Sequence, residues 1–136
     1  MFVVDTNVVS ELRRPDKANR NVAAWAKANH ASSFFLSAIT VLELELGTLM
    51  MERKDKAQGA VLRSWLEHNL LPRFEGRILP VDSAVARRSA ILHVLRPRSE
   101  RDALIAATAF VHSMAVVTRN TADFAATGVK LFNPWI

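Results

Sequence analysis

The chain opens on a short apolar run, Phe2-Val3-Val4, which breaks at the polar triplet Asp5-Thr6-Asn7. So compact a β-branched stretch predicts a strand buried on both faces, and the triplet supplies cap-type residues for a short helix over 8–12, stopped near Pro15. Val22, Trp25 and Ala26 recur at helical spacing between Asn19 and Asn29, and Phe34-Phe35-Leu36 predicts a second buried strand. Ser37 and Thr40 are candidate caps for a helix running to about residue 51. Residues 52–59 read as a solvated connection. A further helix covers about 56–71, with Leu62, Trp65, Leu66 and Asn69 on one side. Residues 77–81 predict a strand, Asp82-Ser83 opens a helix over 84–95 that stops at Pro97, and Asp102 opens a nearly all-apolar helix over 103–111. The last two strands are predicted at 115–118 and 129–132, separated by a short segment over 120–126. Strands that alternate with helices imply parallel pairing, so the expected class is α/β: a three-layer α/β/α sandwich with a mainly parallel sheet. The all-apolar helix after Asp102 fits a crossover packed deep against that sheet.

Composition narrows this picture. At 136 residues a single domain spanning 1–136 is expected, and it is long enough for an ordinary core. Half the residues are hydrophobic and 23% are charged, which excludes a disordered or fibrous chain. The absence of cysteine excludes disulfide scaffolds, thiolate zinc sites and cysteine nucleophiles. No apolar run approaches ~18 residues, so no membrane span is predicted. No basic stretch precedes the apolar start, which argues against a signal peptide and for the cytoplasm. Lys and Arg outnumber Asp and Glu by 18 to 13, a net +5, and this charge points weakly toward a polyanionic partner.

Most acids need no special account. Glu52, Asp55, Glu67 and Glu75 read as solvated, Asp16 as a turn residue and Asp82 as a helix cap. Asp5 differs because it ends a buried strand, and ligands of open α/β sheets bind beyond the carboxyl ends of strands; an N-cap role is the alternative. Glu43 shares a helix face with Ile39, Leu42, Leu46 and Met50, while Glu45 is rotated about 200° away. A carboxylate on an apolar stripe needs a partner, either an arginine or a metal. Asp102 serves equally as a cap or as a ligand for a hard cation. Asp123 lies just past another strand's carboxyl end, with Asn120 nearer that end as a neutral oxygen donor. Clustered carboxylates repel, so a site holding several supplies a counter-cation. With oxygen ligands, no cysteine, and His30, His68, His93 and His112 scattered, that cation is expected to be Mg²⁺ or Mn²⁺.

Four blocks, in order and spanning nearly the whole chain, carry a resemblance: Val3-Val4-Asp5-Thr6-Asn7-Val8-Val9-Ser10-Glu11, Ser37-Ala38-Ile39-Thr40-Val41-Leu42-Glu43-Leu44, Asp102-Ala103-Leu104-Ile105-Ala106-Ala107-Thr108-Ala109, and Val117-Thr118-Arg119-Asn120 followed by Asp123-Phe124 and Asn133-Pro134-Trp135. Together they resemble the PIN-domain ribonucleases, specifically the VapC/FitB-type toxins of bacterial toxin–antitoxin pairs. The resemblance implies that Asp5, Glu43 and Asp102 are metal-binding acids of a nuclease site. The fourth carboxylate is placed at Asp123, with Asn120 as its substitute, because many members carry Asp where Asn120 stands. Thr6, Asn7 and Thr118 are implied as hydrogen-bonding support, whereas Glu11 reads as structural.

The activity so implied is Mg²⁺- or Mn²⁺-dependent endoribonuclease chemistry on RNA phosphodiesters, with the four acids converging within metal-coordinating reach. Arg13, Arg14, Lys17, Arg96, Arg98, Arg101 and Arg119 are candidates for holding the RNA backbone. A phosphoaspartyl hydrolase is disfavoured, since that chemistry needs a second acid where Asn7 stands. The competing class is a catalytically silent PIN-like module that binds RNA or protein. As partners the resemblance implies a cognate antitoxin and a second copy of the chain, with the antitoxin in a groove bordered by the helices after Thr40 and Lys56.

Overall fold

The computed structural model describes residues 1–95 and 98–136. The predicted stop at Pro97 and the candidate Arg96 lie outside the described residues. The chain begins with strand β1 (Phe2–Val4), helix α1 (Thr6–Leu12) and helix α2 (Arg20–Ala28), then β2 (Phe34–Ser37) and α3 (Ala38–Lys54). Next come α4 (Lys56–Trp65), a π-helical turn (Leu66–Leu70), α5 (Leu71–Arg73) and β3 (Ile78–Leu79). The remainder is α6 (Ser83–Leu95), α7 (Glu100–Val111), β4 (Ala115–Val117), α8 (Thr121–Phe124) and β5 (Leu131–Phe132).

The strands form one five-stranded sheet in the order β3-β2-β1-β4-β5, and every pair is parallel. Successive side chains of a strand point to opposite faces. Val3 and Val116 accordingly enter one core, with Val85, Leu92, Ile105 and Phe124, while Val4 and Val117 enter the other, with Val8, Val22, Leu36 and Leu66. Two cores on opposite faces make the three layers that the alternating pattern predicts. The chain moves outward from β1 to β3, then returns to place β4 on the other side of β1. The sheet thus reverses direction between β1 and β4, the position where open α/β sheets leave a crevice outside the carboxyl ends of their strands.

Several elements differ from expectation, each for a physical reason. Strand β3 is shorter than 77–81 because Pro80 has no N–H for the ladder, although the Arg77 carbonyl still accepts from Leu36 N (3.0 Å). Helix α7 starts at Glu100 with Ser99 as its N-cap, so Asp102 is a first-turn residue and not the cap. Residues 52–59 are solvated over 53–58 as expected, but they form a tight helical hairpin in place of an irregular link. Asp55 caps α4, accepting from Ala57 N and Gln58 N (3.1 and 3.2 Å). Arg63 bridges from α4 to Glu45 and Glu52 of α3 at 2.7 and 2.9 Å, and to Glu67 at 3.5 Å, so Glu52 and Glu67 are paired. The π turn also shifts the face expected for 56–71: Leu66 and Leu70 are buried while Asn69 is exposed. Pro72 supplies the cause. Its ring cannot sit against the carbonyl four residues back, and widening the preceding turn relieves that clash.

On α3 the buried residues are Ile39, Thr40, Leu44 and Thr48, whereas Leu42, Leu46, Leu49 and Met50 face outward. The stripe expected from hydrophobicity is therefore rotated by about one position, roughly 100°. Threonine substitutes for leucine on the inner face because its hydroxyl is satisfied within the helix: Thr48 Oγ1 donates to the Leu44 carbonyl at 2.8 Å.

Candidate active site

The four acids arrive at the carboxyl edge of the sheet from four elements. Asp5 follows β1 and is the N-cap of α1, Glu43 lies in the second turn of α3, Asp102 in the first turn of α7, and Asp123 in α8 beyond β4. Asp5 is the N-cap that the sequence offered as one reading, and capping uses only one of its carboxylate oxygens. Oδ1 accepts from Thr6 N at 2.8 Å, and Oδ2 accepts from Thr118 Oγ1 at 2.7 Å and from Asn7 Nδ2 at 3.4 Å. The Thr118 hydroxyl in turn accepts from Asn120 N at 3.0 Å, and Asn7 Oδ1 accepts from Arg119 N at 3.3 Å. Asp5 and Thr118 thus clasp each other across the reversal point between β1 and β4.

Thr6 Oγ1 donates to Glu43 Oε1 at 2.8 Å and lies 3.3 Å from Thr40 Oγ1. Thr40, expected as a cap, is instead fully buried inside α3, one turn before Glu43 on the same face. Its three-residue spacing from Glu43 was the available signal, and it was hidden because threonine read as a cap residue. Glu43 is a quarter exposed, beside the buried stripe rather than on it, and its partner is cationic: Arg101 Nη1 stands 3.8 Å from Oε2. Glu11 is structural, its carboxylate accepting from Asn19 N at 2.8 Å.

Charge records the convergence. Burial raises the Asp5 carboxyl above its ordinary value, against the Thr118 and Thr6 hydrogen bonds that lower it, and the charges of Glu43 and Asp123 raise it further. Asp102 is pushed up to about 6, first by burial and then by repulsion from Asp5, Asp123 and Glu43. Glu43 and Asp123 thus act on both Asp5 and Asp102. The acids do not form a closed cage: among the described residues no three His, Asp or Glu side chains stand ready to hold a metal ion together. Glu43 and Asp123 act on Asp5 and Asp102 through their charge, and among the described residues there is no finished coordination shell. The donor chemistry nonetheless fits a hard cation, because the carboxylates repel and hydroxyl and amide groups hold their oxygens in place.

Beside Glu43 runs a cleft of about 190 Å³ between α1, α3 and α4, lined by Ser10, Arg13, Gly47 and Leu62 among others. A larger, mainly apolar cavity of about 360 Å³ lies under α1 and α2, against Trp25, Phe34, Trp65 and Leu70. It is separate from the acids, although Arg13 reaches both spaces.

Residues 2–130 match the PIN domain family. The chain is 43% identical over 143 residues to the protein named Toxin FitB of Neisseria gonorrhoeae, with 99% of each chain covered. It is 39% identical to VapC ribonuclease Y4jK of Sinorhizobium fredii, over 99% of this chain and 98% of that one. Among solved structures, FitAcB from Neisseria gonorrhoeae superposes with a TM-score of 0.88 at 41% identity, covering 99% of both chains. A toxin–antitoxin complex from Klebsiella pneumoniae superposes at 0.69 with 25% identity, over 98% of both. With the sheet order, the two cores and the acid-lined edge in place, the chain belongs to the PIN domain family.

Proposed function

We propose that this protein is the toxin of a type II toxin–antitoxin pair and a Mg²⁺- or Mn²⁺-dependent endoribonuclease that hydrolyses RNA phosphodiester bonds in the cytoplasm. One observation carries the reading: Asp5 is 6% exposed, Asp102 is pushed up to about 6, and the described ion pairs supply these acids with one cation, Arg101, at 3.8 Å from Glu43. A purely structural cluster would spread its charges or pair each one. Asp5, Glu43, Asp102 and Asp123 would hold the ion. When bound, it supplies the acidity that makes water a nucleophile and positive charge against the phosphoryl oxygens.

The chain's own groups do the rest. Thr118 and the Thr6 N–H orient both oxygens of Asp5, and the Thr6 hydroxyl fixes Glu43. Asn7 ties Asp5 to the Arg119 backbone, so the strand ends around the acids move as one unit. Arg13, at the cleft beside Glu43, would hold the RNA backbone.

The assay is cleavage of mixed single-stranded RNA with Mg²⁺, Mn²⁺ or EDTA. Cleavage with either metal, its loss in EDTA and its loss in Asp5→Asn support the reading; Asp5→Asn cutting as fast as wild type refutes the role of Asp5. RNA binding without cleavage under every metal condition leaves the silent module instead.

A cognate antitoxin is the proposed partner, its chain entering the cleft between α1, α3 and α4 and covering Glu43. Two copies of the protein are proposed to pair through the outward face of α3. The supporting observations are the similarity to proteins named as toxins and in a toxin–antitoxin complex and the exposed Leu42, Leu46, Leu49 and Met50 on one helix.

A further inference from the structure

The strand order lays the residues beyond the carboxyl edge out in a line: Glu43 past β2, Asp5 past β1, Arg119 past β4 and Trp135 past β5. Acids occupy one end of this line. At the other end the Arg119 guanidinium carbon sits over the Trp135 ring, 5.2 Å from its centroid. Both residues are tied down through their backbones. The Arg119 N–H donates to Asn7 Oδ1 (3.3 Å), and its carbonyl accepts from Asn133 Nδ2 (3.5 Å). The Trp135 N–H donates to Asn133 Oδ1 (2.9 Å), and its carbonyl accepts from Asn21 Nδ2 (2.7 Å). Trp135 is half-buried against the core on the α2 side, while Arg119 is exposed, so the outer face of the guanidinium is open to solvent.

We propose that the Arg119–Trp135 cation–π pair is a platform for the base of the nucleotide next to the scissile phosphate, in single-stranded RNA. This rests on the ribonuclease reading of the acids. Unpaired bases stack on aromatic rings and on guanidinium planes. An arginine already laid on a tryptophan is ordered before the base arrives, so little rotamer freedom is lost on binding. The register fits: Arg119 directly follows Thr118, whose hydroxyl contacts Asp5, and consecutive Cα atoms are about 3.8 Å apart. On this reading a nucleotide whose phosphate meets the acids would have its neighbour over Arg119. A group used only as a phosphate ligand needs positive charge, which lysine also supplies; a stacking group needs the plane, which lysine lacks.

The test measures binding of a short single-stranded RNA carrying 2-aminopurine, in EDTA at low salt so that nothing is cut. Wild type, Arg119→Lys, Arg119→Gln and Trp135→Phe are compared over a salt series. The platform predicts that Arg119→Lys binds on the order of ten-fold more weakly than wild type, with an unchanged salt slope and less 2-aminopurine quenching. Trp135→Phe falls between the two. If Arg119→Lys matches wild type and only Arg119→Gln lowers the salt slope, Arg119 is a phosphate contact and the platform is overturned. Wild type that neither binds this RNA in EDTA nor cuts it with Mg²⁺ overturns the ribonuclease reading as well, so the two failures are distinct. Arg119 is exposed, so its variants are expected to keep the fold, and a far-ultraviolet circular dichroism spectrum checks that they do.

Discussion

Asp5 keeps an ionisable group at 6% exposure because Thr118 and the first turn of α1 feed it hydrogen bonds. Thr118→Val keeps the shape of the side chain and removes the donor, leaving Oδ2 with only the long Asn7 contact. Leaving a buried acceptor short of a partner costs about 1–3 kcal/mol, so the variant is expected to unfold at lower urea with an unchanged slope, and an unchanged midpoint would show that the clasp is not needed. Asp102 carries the pH dependence. Its folded value of about 6 lies above the ordinary carboxyl value of 3.8, so the folded state holds the extra proton between those values. Its contribution to stability is therefore best at low pH, declines as pH rises from about 4 to 6, and is flat above that. Asp102→Asn removes the repulsion and, after discounting for partial exposure, is expected to stabilise the metal-stripped protein by about 1 kcal/mol at pH 7.5 and hardly at all at pH 4. Thermal unfolding in EDTA at the two pH values reads this; equal shifts at both would contradict it. Asp5 and Asp123 were legible in the sequence because they sit just past apolar strands. Glu43 was singled out by a stripe that the fold does not use.

Gly59 shows what the element scale adds to that. A Cβ at Gly59 of α4 would lie 2.5 Å from the Glu52 Cα of α3, backbone that cannot give way as a flexible side chain can. Gly59→Ala must therefore prise the hairpin apart, and overpacking of this kind costs about 1–3 kcal/mol. The expected result is a lower melting temperature with the Arg63 pairs disturbed; a melting temperature equal to wild type would show that the two helices slide freely. Composition flags such a glycine as a breaker inside a polar stretch, which is why 52–59 reads as a connection. The same limit explains α3. Hydrophobicity ranks leucine above threonine, so the periodicity selects Leu42, Leu46 and Met50, and the internal hydrogen bond that lets Thr48 lie buried is invisible in one dimension. Of the two caps offered for α3, Ser37 takes the position and Thr40 does not, whereas the α7 start was misplaced: Ser99 is its cap and Asp102 lies in the first turn.

At the scale of the whole molecule, the accessible surface is 7,988 Å², against roughly 7,000 Å² for a compact monomer of this mass. Part of the excess is apolar and gathered on α3, where Leu49 is 48% and Met50 63% exposed. Pairing through this face predicts a dimer by light scattering at tens of micromolar and a monomer for the double variant Leu49→Glu, Met50→Glu; a wild type that is already monomeric would remove α3 as the interface. The sheet's alternation and its class were legible because each strand is a short apolar run. The strand order was not, since nothing local says that β4 returns beside β1, and that return is what brings Thr118 to Asp5 and sets Arg119 and Trp135 in line with the acids. The acid-lined edge is proposed to be a divalent-cation site. Calorimetric titration of the metal-stripped protein with Mn²⁺ tests it most directly, with Asp5→Asn alongside. Saturable binding by wild type, weakened at least about ten-fold in Asp5→Asn, is the predicted result; no saturable binding, or equal binding by the two proteins, would contradict it.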